Sequence, residues 1–166
     1  MRQNTLTPER LREVLRYDAD SGQFVWLCNL AKKDRVGQVA GSTHPHGYIV
    51  VQVDGYPYKA HRLAWLYTRG TWPTGEIDHI NGVRADNRIA NLRDVSGAVN
   101  QQNQRTARRG SSSGLLGVTW HKAAGKWAAQ IAHERRKVHL GVFDTAEAAH
   151  AAYVAAKREL HPGCTL

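Results

Sequence analysis

A chain of 166 residues suffices for one ordinary domain or two small ones, and 42% apolar residues, with five Trp and six Tyr, can build small cores. Its 23 Lys and Arg against 14 Asp and Glu leave a net charge of +9, which favours a polyanionic partner, nucleic acid ahead of an anionic membrane. No apolar run approaches a membrane span, "MRQNTLTPER" lacks a signal-peptide core, and Cys28 and Cys164 form no CxxC, so membrane insertion, a disulfide scaffold and a paired-cysteine zinc site are all disfavoured and a reducing cytosol is expected.

The first helix signal is Thr7 as N-cap with Pro8 in the first turn, followed by Leu11, Val14 and Leu15 on one face. "QFVWL" (23–27) and "YIVVQV" (48–53) read as strands, and Asp54-Gly55 as a hairpin turn. His44 and His46, around Pro45, read as loop residues. "HRLAWLYTRG" reads as a short helix ending at Gly70, with Leu63, Trp65 and Leu66 available for a core.

The next stretch, "EIDHINGVRADNRIANLRDVSGAVNQQNQ" (76–104), crowds five asparagines, three aspartates and a histidine among few apolar residues. "EIDHI" reads as a strand, Asn81-Gly82 as a tight turn, and "NLRDVS" as a second strand after an irregular excursion. Ser96 is placed to cap a final helix, "GAVNQQNQRTA". Asp78 and Asn100 offer hard oxygen ligands suited to Mg²⁺ or Mn²⁺, ions that keep positions open for water and phosphate oxygens. His79, with an ordinary pKa near 6.5, suits the role of general base toward a water. Strand alternation points it away from Asp78, so a distortion or the phosphate itself must join the two. Asn91 fits a bracing role, its amide bridging backbone groups across the loop. His61 carries two readings: a donor to a phosphate with Arg62 beside it, or a packed, hydrogen-bonded histidine at a helix start.

The order D-H-I-N-G, D-N-R-I-x-N-L-R and N-x-x-N resembles the HNH nuclease family, specifically its phage and intron homing branch. "DGYPYKAHRLAW" and "LRYDADSGQFVW" resemble that branch too, and the likeness covers roughly residues 5–105. It implies a ββα-metal active site with one divalent ion, His79 as general base, Asp78 and Asn100 as metal ligands and Asn91 as the bracing asparagine. "GAVNQQNQ" lacks the glutamate that often precedes the asparagine pair, which leaves Asn103 as the alternative ligand on the same helix.

Residues 106–114 read as a basic Gly/Ser linker between a module spanning 1–105 and another spanning 115–166. Residues 101–114 carry +3 from Arg105, Arg108 and Arg109, the densest positive charge in the chain, and suit contact with a DNA backbone. "LLGVTWHKAAGKWAAQIAHERRKVHLGVF" alternates over three short runs, a three-stranded antiparallel meander. "DTAEAAHAAYVAAKREL" follows as a helix, with Asp144 and Glu147 as a capping box and a stripe of Ala149, Ala152, Tyr153, Ala156 and Leu160. Thr119, His121, Lys126, Gln130, Lys137 and His139 are then left on the opposite sheet face, and Lys122 adds a further cation beside them. Trp127 reads as core, whereas Trp120 fits core and DNA contact equally.

"GKWAAQI" and "LGVFDTAEAAHAAY" resemble the AP2 DNA-binding domain over about residues 114–161. That family lays its sheet in the major groove. Leu116 and Thr119 stand where plant members have base-contacting arginines, Gln130 where they have glutamate and His139 where they have tryptophan. No sequence preference therefore carries over. The expected fold class is α+β, a ββα-metal module followed by a small sheet-and-helix module. The expected function is a metal-dependent endonuclease of double-stranded DNA in the cytosol, using one Mg²⁺ or Mn²⁺ per active site. One such site nicks, whereas a double-strand break asks for a homodimer or sequential cuts. The rival readings are a non-enzymatic DNA-binding regulator, which would need a broken catalytic set, and a structural or RNA-associated protein, which rests on charge alone.

Overall fold

A computed structural model describes residues 6–30, 34–134 and 136–166. The chain divides into two compact units, Met1–Ser96 and Gly97–Leu166. The division thus falls ahead of the last asparagine-rich helix, upstream of the boundary at 105 expected from composition.

In the first unit, α1 (Pro8–Val14) begins as its sequence predicts, with the Thr7 hydroxyl accepting the Arg10 N–H at 3.2 Å. It leads directly into β1 (Leu15–Tyr17), which pairs antiparallel with β2 (Phe24–Trp26). A second sheet runs β3 (Ser42–Thr43), β4 (Ile49–Val53) and β5 (Tyr56–Lys59). Asp54 and Gly55 both take positive φ, 49° and 81°, which makes the turn of the β4–β5 hairpin the type I′ form that matches strand twist. β5 passes straight into α2 (Ala60–Arg69), whose Leu63, Ala64 and Leu66 are fully buried against Leu11, Val14, Phe24, Val51 and Val53. Burying one such large aliphatic side chain stabilises by about 1.5–3 kcal/mol, so this cluster holds the unit together. The third sheet is the hairpin β6 (Glu76–His79) and β7 (Leu92–Val95), and its Ile77 and Leu92 join the same core.

The second unit opens with α3 (Gly97–Gln102). Its sheet, ordered β10-β9-β8, contains β8 (Val118–His121), β9 (Lys126–His133) and β10 (Arg136–Phe143), all antiparallel. α4 (Ala146–Leu160) packs on one face, and its core contacts come from Val118, Ala129, Ala146 and Ala149. The helix cap lies one residue later than expected: Thr145 accepts the Ala148 N–H at 3.1 Å, while Asp144 pairs with Lys126 at 2.8 Å. The apolar stripe also differs, since Ala146, Ala149 and Tyr153 continue into Lys157, which is 1% exposed. The Lys157 ammonium reaches the Gln104 carbonyl, a bond that explains how a charge sits at a helix position facing the core.

Asn103, Arg105 and Ser113 are held by hydrogen bonds within this unit. Arg105 donates to the Thr165 carbonyl and hydroxyl, the Asn103 amide oxygen accepts the Thr165 hydroxyl, and the Ser113 hydroxyl donates to the Val118 carbonyl at 3.0 Å.

Candidate active site

The β6–β7 hairpin places Asp78, His79 and Asn91 within one segment. Asn91, in the 3₁₀ turn Ile89–Asn91 ahead of β7, accepts the Asn81 N–H at 2.9 Å through its amide oxygen and donates to the Asp86 carbonyl at 2.9 Å. Its own carbonyl accepts the Ile80 N–H at 2.9 Å. One buried amide therefore spans the excursion between the strands, which three further contacts tighten. Asn81 donates to Asp86 at 2.7 Å and accepts the Val83 N–H, and the Tyr17 hydroxyl donates to the Asn87 carbonyl at 2.7 Å. Gly22, at φ +72°, packs against the same turn so closely that a Cβ there would lie 2.5 Å from the Arg88 nitrogen.

At the end of β6, Asp78 and His79 are both buried, each 5% exposed. Asp78 lies directly across the hairpin from Arg93, and Nε and Nη2 of Arg93 meet its Oδ2 at 2.8 and 2.7 Å. Such a two-point, largely buried pair fixes the carboxylate in place, and removing one partner would strand the other's charge. The register could have shown this pairing in the sequence, because Asp78 and Arg93 face each other once the hairpin is aligned.

His79 belongs to a cluster of three rings. His61, from the first turn of α2, meets it edge-on with ring centroids 4.9 Å apart, and the Tyr48 ring lies 5.2 Å from His61 and 6.1 Å from His79. Burial pushes the His79 pKa down; the Asn87 amide and the carboxylates of Asp78 and Asp86 oppose that shift, and Arg84 adds to it. Burial also pulls His61 down to about 3, helped by repulsion from His79, Lys59 and Arg62. Both imidazoles are therefore neutral near pH 7, and a neutral imidazole can accept a proton. The Nδ1 atom of His61 is buried without a hydrogen-bond partner, so the ring is packed at a helix start but lacks at that nitrogen the hydrogen bond one sequence reading gave it, and it also touches the candidate base.

Residues 58–102 match the family model of the HNH endonucleases. This stretch is an HNH endonuclease domain. The match takes in His61, Asp78, His79, Asn91 and Asn100. Comparison of the chain with curated proteins and with solved structures returned no significant match.

Within the HNH domain, Asn100 stands half-buried on α3, in the second compact unit. Among the described residues no group of three or more His, Cys, Asp and Glu is placed to hold a metal ion. A cation held by this domain would thus rely on few protein ligands, with water and phosphate oxygens completing its shell, as Mg²⁺ does. Arg62, expected at DNA, lies with its guanidinium 5.7 Å from the centre of the Trp72 ring. Tyr48, Lys59, Arg84 and Arg93 are site residues the sequence reading passed over.

In the second unit, register puts Thr119, His121, Lys126, Gln130, Lys137 and His139 on one sheet face: Thr119 pairs with Ala128, His121 with Lys126, His139 with Gln130 and Lys137 with Ala132. A bulge between His139 and Gly141 resets the alternation and adds Val142 to that face. Trp120 and Trp127 meet edge-on at 5.0 Å on the other face, where Trp127 packs against the core. Arg108, Arg109 and Lys122 are exposed. No helix among the described residues is long and apolar enough to cross a membrane.

Proposed function

We propose that this protein is a metal-dependent, homing-type DNA endonuclease in which His79 is the general base and the second unit, AP2-like, holds the duplex. The observation that carries the reading is a buried, neutral His79 beside a fixed carboxylate, inside a segment that matches the HNH endonucleases. Double-stranded DNA as substrate agrees with the net charge of +9.

The donor set fits Mg²⁺ or Mn²⁺, since Asp78 offers a carboxylate oxygen and Asn100 an amide oxygen, both hard ligands. Asn103 is the alternative ligand, and its amide oxygen accepts the Thr165 hydroxyl. When bound, one such ion supplies positive charge to the phosphodiester and to the departing 3′-oxygen. His79 takes a proton from the attacking water, and the low pKa set by burial keeps it in the accepting form. Asn91 fixes the loop that follows His79, and Arg93 fixes Asp78. The exposed sheet face, with its cations and amide, is a surface of the kind that enters a major groove.

Incubating the full chain with supercoiled plasmid and Mg²⁺ or Mn²⁺ tests this. Nicked or linear product that disappears in EDTA is expected. Cleavage undiminished by excess chelator would remove the metal. A folded chain that binds DNA and leaves it uncut with either ion would make the protein a non-enzymatic DNA binder.

A further inference from the structure

A cleft of about 510 Å³ opens in the first unit between the turn that joins β3 to β4, the end of β5 and the loop after β6. His44, His46, Tyr48, Tyr58, Lys59 and Arg84 line it, and none of its lining residues is acidic. Its two cations are exposed, yet both are tied to one ring: Lys59 Nζ lies 4.6 Å and Arg84 Cζ 5.1 Å from the Tyr48 centroid. Arg84 is further anchored on the His46 carbonyl at 3.0 Å. Tyr48 also packs against His61 and His79, so the ring that orders the cations is the ring that walls the candidate base.

We infer that this cleft is a binding subsite for the substrate strand, in which Lys59 and Arg84 take a phosphate neighbouring the scissile one and the Tyr48–Tyr58 side offers apolar surface to the attached nucleoside. Charge complementarity selects the occupant. Two ordered cations with no carboxylate among the lining residues attract an anion, and the aromatic and imidazole walls suit a flat apolar group more than a bare phosphate. An arginine and a lysine held on a tyrosine face are pre-oriented, so less side-chain freedom is lost when the phosphate arrives. The identity of the ligand rests on the nuclease reading; the presence of an anion site does not.

The test measures binding of the full chain to a short labelled duplex in EDTA across a salt series, for the parent, Lys59→Gln, Arg84→Gln and Arg16→Gln. Arg16 is an exposed cation on β1, outside the cleft. Each phosphate contact contributes about 0.9 to the slope of log affinity against log salt, so Lys59→Gln and Arg84→Gln should each flatten it by about that much, with Arg16→Gln unchanged. Circular dichroism establishes that each variant is folded, and Arg84→Met, which also removes the charge, serves should Arg84→Gln unfold. In cleavage with Mg²⁺ both cleft variants should raise KM. Equal flattening by all three variants would overturn the subsite in favour of a diffuse field, and so would no flattening at Lys59 and Arg84. A chain that cuts nothing, yet whose Kd still responds at those two positions alone, supports the subsite and sinks the nuclease reading instead.

Discussion

The two units treat the same residue types in opposite ways. The first buries His61, Asp78, His79, Asn87 and Asn91 beside a core of Leu, Val, Phe and Trp. The second leaves His121, His139, Lys126 and Lys137 exposed on a sheet whose core is mostly Val and Ala. Burial of an ionisable group is unfavourable and shifts its protonation, so a fold accepts it where chemistry needs a set geometry and charge state. Exposure leaves a cation fully hydrated and able to exchange counterions for phosphates. The proposed function accordingly assigns the reaction to the first unit and DNA contact to the second. Where the second unit does bury polar groups, they serve packing: Lys157 on the Gln104 carbonyl, His161 on the Ala132 carbonyl at 2.7 Å, and Asn103 against Thr165.

The largest break in that comparison should come from His79→Ala set against His161→Ala, two buried histidines, one in each unit. General-base catalysis contributes about 10²- to 10⁴-fold, so His79→Ala should lose kcat on that scale while Kd for DNA barely moves. His161→Ala should lower the melting temperature and leave kcat near the parent value. Single-turnover cleavage at saturating protein reads both. A His79→Ala chain with near-normal rate would move the base elsewhere, and His61 is the neighbour next in line.

A second difference should appear on acidification. The folded pKa of His61, about 3, lies well below its ordinary 6.5. The unfolded chain therefore binds the proton first, so the stability contributed by the neutral buried ring is complete above about pH 6.5 and is lost as pH falls toward 3. The loss approaches about 1.4 kcal/mol per pH unit for this one proton. Urea unfolding of His61→Gln should consequently show a shallower decline than the parent across that window. Identical slopes would mean that the ring is hydrated.

Asn91→Ala should have a smaller effect. It removes an acceptor from the Asn81 N–H and a donor from the Asp86 carbonyl, and leaving buried partners unsatisfied costs about 1–3 kcal/mol. Asn103→Ala, its counterpart in the second unit, should cost a similar amount in stability. Only Asn91→Ala should also lower kcat at saturating DNA, because the loop it spans follows directly on His79.

Much of this contrast was legible in the sequence. The Asp54-Gly55 turn, the Thr7 cap and the shared face of Thr119, His121, Lys126, Gln130, Lys137 and His139 follow from local geometry, namely φ preference, capping chemistry and a period of two. The order of Asp78, His79, Asn91 and Asn100 pointed to the segment that matches the HNH endonucleases. The Tyr48, Lys59 and Arg84 cleft was not legible, because these residues come from the turn between β3 and β4, the end of β5 and the loop after β6, and only folding brings them together. Lys157 is a related case: helix period places it near the buried stripe, its charge argues for the surface, and only the Gln104 carbonyl accounts for its burial. The Arg105 bond to Thr165 was likewise not legible, since sixty residues separate the partners.

The smallest expected effect lies on the exposed face of the second unit, and it decides whether that unit touches DNA at all. Lys137 is exposed, with its register partner the small Ala132, whereas Lys126 is engaged with Asp144 at 2.8 Å. A cation already paired releases fewer counterions on meeting a phosphate, so the two lysines should differ. Lys137→Ala should flatten the salt slope of DNA binding by about 0.9, which shrinks the affinity drop between about 50 and 200 mM salt roughly threefold. Lys126→Ala should flatten it less, and Asp144→Ala, which frees Lys126, should steepen it. Neither lysine variant should alter kcat at saturating DNA, since both lie outside the segment that carries His79. A salt slope indifferent to all three substitutions in the folded full chain would mean that this face meets no phosphate. The second unit would then be a packing partner or a protein-binding module, and the division between a unit that reacts and a unit that touches would fail at its weaker half.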